Sequence, residues 1–152
     1  MPGVKAMVYI RAEVEIRPTE DENKVLKALK NIIFIESVRI LDIGRGFKIA
    51  IAESNDVSAL LKLYELFRRQ RILDTARNVM LKNARNGILT LQLNKQAAYQ
   101  GVVSFVDHES ESQLGIITVT ISSERLNEII DWLAPRTAHG RPLWEREVPR
   151  DV

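Results

Sequence analysis

Val4-Lys5-Ala6-Met7-Val8-Tyr9-Ile10-Arg11-Ala12-Glu13-Val14-Glu15-Ile16 is the stretch that decides the fold class. Every even position is apolar, while Lys5, Arg11, Glu13 and Glu15 charge the odd ones. Successive side chains of a strand point to opposite faces, so this run is a strand with one face on a core and one toward solvent. It exceeds the usual length of about 5–6 residues, so a bulge, or a strand serving two parts of a sheet, is expected. Downstream, Pro18-Thr19-Glu20-Asp21-Glu22 reads as a helix start. Thr19 is the expected cap and Glu22 completes a capping box, with acidic residues at the positive end of the helix dipole. Val25, Leu26, Leu29 and Ile32 or Ile33 give that helix one apolar stripe. Residues 36–43 and 47–53 read as strands joined by Gly44-Arg45-Gly46.

From Asp56 to about Asn83 the pattern is helical, with a discontinuity. At about 100° per residue, Leu60, Leu63, Tyr64 and Phe67 cluster on one side. Ile72, Leu73, Ala76, Val79 and Met80 cluster on the opposite side, so the stripe flips across Arg68-Arg69-Gln70-Arg71. A kinked or two-part helix is expected there, although no Pro or Gly supplies a cause. Beyond it, Asn86-Gly87 is a turn, 88–93 a strand, and 94–100 a short helix stopped by Gly101. Strands at 102–106 and 116–121 flank the acidic segment 107–114. Ser122 or Ser123 caps a helix over 124–133, which Pro135 ends. Residues 136–152 form an extended tail in which Trp144 and His139 are the expected docking residues. Helices and strands mix without regular βαβ repetition. The chain therefore reads as one α+β domain over 1–152, with a mixed, largely antiparallel sheet and helices on one face.

Bulk properties narrow the function. The 152 residues are 45% hydrophobic and 28% charged, as in an ordinary globular domain. No apolar run approaches the ~20 residues of a membrane span, and no signal-peptide pattern opens the chain, so a cytoplasmic protein without a membrane partner is expected. The absence of cysteine removes thiolate chemistry and disulfides, and two histidines leave little for general-base catalysis. Against a net charge of +2, residues 62–85 carry seven basic and two acidic side chains, a local charge of +5. Clustered arginine is the footprint of a phosphate-bearing partner.

The sequence resembles uncharacterised protein family 0201, a group of small archaeal proteins. The likeness is carried by Ala12-Glu13-Val14, Pro18-Thr19-Glu20-Asp21, Arg69, Arg71-Ile72-Leu73-Asp74 and Lys95-Gln96-Ala97-Ala98. It continues through Val103-Ser104-Phe105-Val106-Asp107, Leu114-Gly115 and the run from Trp132 to Gly140. The resemblance implies a fold like that of the ribosomal large-subunit protein that binds 5S RNA, and kinship to predicted exosome subunits. That link to RNA is one of association, not of mechanism.

These readings converge on a non-catalytic RNA-binding protein without cofactor or metal. Arg68, Arg69 and Arg71 would hold backbone phosphates, assisted by Arg77 and Lys95, because the planar guanidinium fork matches phosphate oxygens. Arg68 and Arg69, with only Glu65 nearby, are the stronger candidates. The competing structural reading makes Arg71, Asp74 and Arg77 a self-satisfied i,i+3 ladder. At Asn94-Lys95-Gln96, an anion site at a helix start competes with simple N-capping by Asn94. The acidic run Asp107-His108-Glu109-Ser110-Glu111 has no metal-ligand spacing and reads as a solvated loop. Aromatic side chains near the basic elements are few, and Tyr64 and Phe67 read as core, so recognition by shape and charge is expected. The alternative function is a protein-interaction module or homodimer, with the flipped stripe as its apolar surface.

Overall fold

Rows of apolar side chains running across paired strands build the core. In the computed structural model, which describes residues 7–35, 37–106, 115–150 and 152, the alternating run forms strand β1, Tyr9–Ile16. The expected extension over 4–6 lies outside the described residues. β1 is followed by helix α1 (Glu22–Ile32), the hairpin β2 (Val38–Gly44) and β3 (Phe47–Ser54), and helices α2 (Leu61–Arg69) and α3 (Leu73–Lys82). Then come β4 (Ala84–Arg85), β5 (Ile88–Asn94), α4 (Lys95–Tyr99), β6 (Ile116–Ser122), α5 (Leu126–Leu133) and a two-residue ribbon, β7 (Thr137–Ala138) with β8 (Arg141–Pro142).

The main sheet has the order β2-β3-β1-β6-β5-β4, with every pairing antiparallel. Register explains the alternation. Ala12 sits between Ala52 and Val119, and Val14 between Ala50 and Ile117, so each row presents only apolar groups to the helices. All six of these side chains are buried. On the other face, Arg11 bonds Glu13, Tyr9 donates to Glu53, and Arg39 pairs with Glu53. The architecture is the expected α+β one, with helices covering one face of an antiparallel sheet.

The helical region breaks where the apolar stripe flips. A 3₁₀ turn over Val57–Leu60 leads into α2, which ends at Gln70, and α3 begins after Ile72. The cause is Arg71, in the left-handed conformation with φ +56°. The Ile72 N–H bonds the Phe67 carbonyl at 3.0 Å and the Arg71 N–H bonds the Arg68 carbonyl at 3.1 Å, closing a Schellman-type helix end. Gln70 fixes the break laterally: its side chain donates to the Val103 carbonyl at 3.0 Å and accepts from the Val103 N–H at 2.8 Å. Each half then buries its own stripe, Leu63, Leu66 and Phe67 in α2, and Leu73, Ala76 and Met80 in α3. The flipped stripe is consumed inside the chain and is not the dimerisation surface expected of it.

Several local expectations are corrected. Asp21, not Thr19, caps α1, accepting from the Asn23 N–H, while Glu20 accepts from the Arg17 N–H. Residues 102–106 form no strand among those described; they run along β5 with one bridge, Leu93 to Phe105. Asn94 does cap α4, accepting from the Ala97 N–H at 2.9 Å. Residues 107–114 lie outside the described residues.

Candidate nucleic-acid interface

Helix α5 ends at Leu133 and leaves its last carbonyls without intrahelical donors. Two arginines from other helices supply them. Arg68 donates to Trp132 O at 3.2 Å and Leu133 O at 2.9 Å, and Arg77 donates to Ala134 O at 3.0 Å. Cations at this end of a helix also face the negative pole of its dipole. Arg68 further bonds Tyr64 O and both oxygens of Glu145, so all five guanidinium N–H groups are engaged. Its plane lies 3.5 Å above the Tyr64 ring, which stacks in turn on buried Trp132. Arg77 pairs with Asp131 at 2.9 Å. Both residues, expected to hold phosphates, instead fasten α2 and α3 to α5 and the tail.

Lys95 is corrected in the same way. Its side chain is only 4% exposed, and its ammonium sits 2.9 Å from Glu20 and 3.1 Å from the Glu15 carbonyl. It ties α4 to the end of β1 and does not reach out to a ligand. Gly115 makes room for it: a Cβ at that position would lie 2.7 Å from Lys95 Nζ.

Arg69 and Arg71 remain. Both are exposed, and their side chains have no hydrogen-bond or ion-pair partner among the described residues. The proposed ladder does not form, since Asp74 is taken by the Thr137 hydroxyl and Arg77 by Asp131. With Arg68 and Arg77 paired, the cations of the two helices and β4 that lack a partner among the described residues are Lys62, Arg69, Arg71, Lys82 and Arg85. Sequence reasoning passed over Lys62, Lys82 and Arg85; the only signal for them was the charge count. By contrast, the charges on the open face of the sheet are largely paired, Arg17 with Glu15 included.

The tail docks through Glu145 on Arg68 and through Arg146, whose guanidinium lies 3.9 Å from Asp131 and over the Trp144 ring. Trp144 is half-buried near Arg77, in keeping with an anchor, whereas His139 sits exposed at the ribbon turn with φ +52° and has no side-chain hydrogen-bond or ion-pair partner among the described residues. Among the described residues no helix is long and apolar enough to cross a membrane, and no group of three or more side chains is arranged to hold a metal.

A six-stranded antiparallel sheet with helices on one face, and a small two-stranded ribbon beside it, define a small α+β protein. A sequence model of a family described as RNA binding matches residues 9–123. A UPF0201 protein of Aeropyrum pernix is 45% identical over 150 residues, 98% of this chain and 99% of the relative. One from Sulfurisphaera tokodaii is 48% identical over 145 residues, 95% of this chain and 99% of the relative. The crystal structure of the UPF0201 protein from Methanococcus jannaschii matches with a TM-score of 0.79 at 33% identity, covering 89% of this chain and 98% of that one. This chain belongs to the UPF0201 family, as its sequence resemblance implied.

Proposed function

We propose that this protein is a non-catalytic RNA-binding protein whose α2–α3 flank, led by Arg69 and Arg71, holds backbone phosphates. The observation that carries the reading is the division among the arginines. Those facing the fold have carboxylate and carbonyl partners, while Arg69 and Arg71, at the helix break, have none among the described residues. Arg71 holds a left-handed backbone, unfavourable by about 1–2 kcal/mol for a non-glycine residue. A strained, exposed arginine is a reason to look for function at that position. The family's description as RNA binding supports the same partner.

The test is a salt series with a labelled RNA containing a helix and an unpaired loop. Arg69→Ala/Arg71→Ala should weaken binding and make the slope of log K against log salt shallower by about two phosphate contacts. A variant with the wild-type slope refutes the assignment.

A second reading, self-association, is favoured by one observation. The outer strand β2 exposes Ile40, Leu41 and Ile43 along an edge with no neighbouring strand among the described residues. Long apolar edges are usually protected, since they invite pairing with another chain. In an antiparallel two-fold pairing centred on Ile40, Arg39 falls opposite Leu41 and Asp42 opposite Val38, so no like charges meet. Light scattering of wild type and Leu41→Lys decides it: a dimer that the substitution dissociates supports this interface, and a monomeric wild type removes it.

A further inference from the structure

On its outer side, β5 is only partly covered. β4 pairs with Ile88 and Leu89, and the 104–106 segment bonds Gln92 and Asn94, with Val106 N–H on Gln92 O at 2.9 Å. Thr90 and Leu91 therefore stand in a notch between two pairing segments. The C-terminal half of α3 crosses below the notch, and together they enclose a cleft of about 400 Å³. That lies within the range of about 300–1,000 Å³ typical of small-ligand sites.

The lining is chemically specific. Asn78, Lys82 and Asn83 come from the α3 side, Thr90 and Gln92 from β5, and Val106 supplies an apolar wall. Asn83 donates its amide N–H to the Val79 carbonyl at 2.8 Å, which leaves its side-chain oxygen as an acceptor. The side chains of Asn78, Thr90, Gln92 and Lys82 have no partner among the described residues. Among the described residues the cleft thus offers amides and a hydroxyl that both donate and accept, one cation and no carboxylate. Hard metal ions are held by carboxylates among their oxygen ligands, and the described lining supplies a lysine ammonium instead. A neutral planar ligand edged with donors and acceptors and joined to an anionic group fits it.

We propose that this cleft receives an unpaired base of a single-stranded RNA segment whose phosphates run along α3 between Arg71 and Lys82. The inference rests on the RNA-binding reading above and deepens it by naming the strand state and the element recognised. Side-chain amides of Asn and Gln pair in two-point fashion with base edges, and in RNA those edges are accessible chiefly where the strand is unpaired. The ten residues of α3 span about 15 Å, so Arg71 and Lys82 bracket a stretch of strand and not a single nucleotide. No aromatic side chain among the described residues lines the cleft, so selectivity arises from edge hydrogen bonds and not from stacking.

Fluorescence anisotropy with short oligonucleotides of A, C or U, and with a fully paired hairpin, tests the proposal on three proteins. Wild type should prefer single strands over the hairpin and favour one base by about tenfold. Asn78→Ala/Gln92→Ala should erase that preference while keeping the melting temperature and the salt slope. Arg71→Ala/Lys82→Ala should keep the preference and lower the slope. RNA binding that persists with no base preference, with equal affinity for the hairpin, or with preference retained in Asn78→Ala/Gln92→Ala, overturns the cleft and leaves the phosphate surface standing. No binding of any RNA by wild type overturns both.

Discussion

Replacing Arg68 by alanine separates architecture from ligand binding at neighbouring positions. The substitution removes five N–H donors at once: those to Trp132 O, Leu133 O and Tyr64 O, and two to Glu145. Hydrogen bonds to charged groups contribute about 1.5–3 kcal/mol each when buried. The Glu145 pair is discounted, because that carboxylate is 44% exposed and exposed ion pairs contribute about 0–1 kcal/mol. Two helix-end carbonyls losing their donors, each at the lower figure because the Arg68 side chain is 20% exposed, plus the stacking on Tyr64 at about 0.5–2 kcal/mol, give a destabilisation of about 3.5–5 kcal/mol. For a domain of this size that corresponds to a fall in melting temperature of roughly 6–20 °C. Differential scanning calorimetry reads the loss. The salt slope of RNA binding, measured well below the transition, should not change. Arg69→Ala, one residue along, should do the reverse: stability within about 0.5 kcal/mol of wild type and a slope reduced by one phosphate. An Arg68→Ala protein that melts with wild type, or that loses the same salt slope as Arg69→Ala, refutes the division of labour.

Three further outcomes are expected. Arg71→Gly removes the left-handed strain and should raise the melting temperature by a few degrees, about 1 kcal/mol, while weakening RNA binding; lower stability would show that the arginine makes a structural contact. Gly115→Ala places a Cβ 2.7 Å from the buried Lys95 ammonium at a residue with φ +108°, and should cost about 1–3 kcal/mol in urea unfolding. The Asp56 carboxyl is held below its ordinary pKa by the Ser58 backbone N–H it accepts at the start of the 3₁₀ turn. The stabilisation is therefore present above the unfolded-state value of about 3.9 and is lost as pH falls through the lower folded value, so Asp56→Asn should flatten the acid limb of a stability–pH curve and leave the neutral region parallel.

The parts of this fold legible in the sequence are those governed by near neighbours. The alternation of Tyr9–Ile16, the glycine turn between β2 and β3, and Asn94 at the start of α4 all follow from one or two turns of chain. The break near Gln70 was also legible, as a reversal of the apolar stripe. Its cause was not, since an arginine adopting φ +56° has no signature in composition, and the Gln70 clamp on Val103 joins residues 33 apart. Thr19 and Asp21 are both competent caps, and the choice of Asp21 depended on where the first turn closed.

The basic segment divides along the same line. The local excess of positive charge over 62–85, and hence an attraction for polyanions, is fixed by residue counts alone, because charge sums without reference to geometry. Which cations remain available is a tertiary matter. Arg68 meets Glu145, 77 residues away, Arg77 meets Asp131, 54 away, and Lys95 meets Glu20, 75 away. Those carboxylates, and the open carbonyls at the end of α5, approach the arginines only when α5 and the tail pack onto α2 and α3. Packing therefore assigned three of the five expected phosphate ligands to the scaffold, and left Arg69 and Arg71 at the helix break as the pair facing outward.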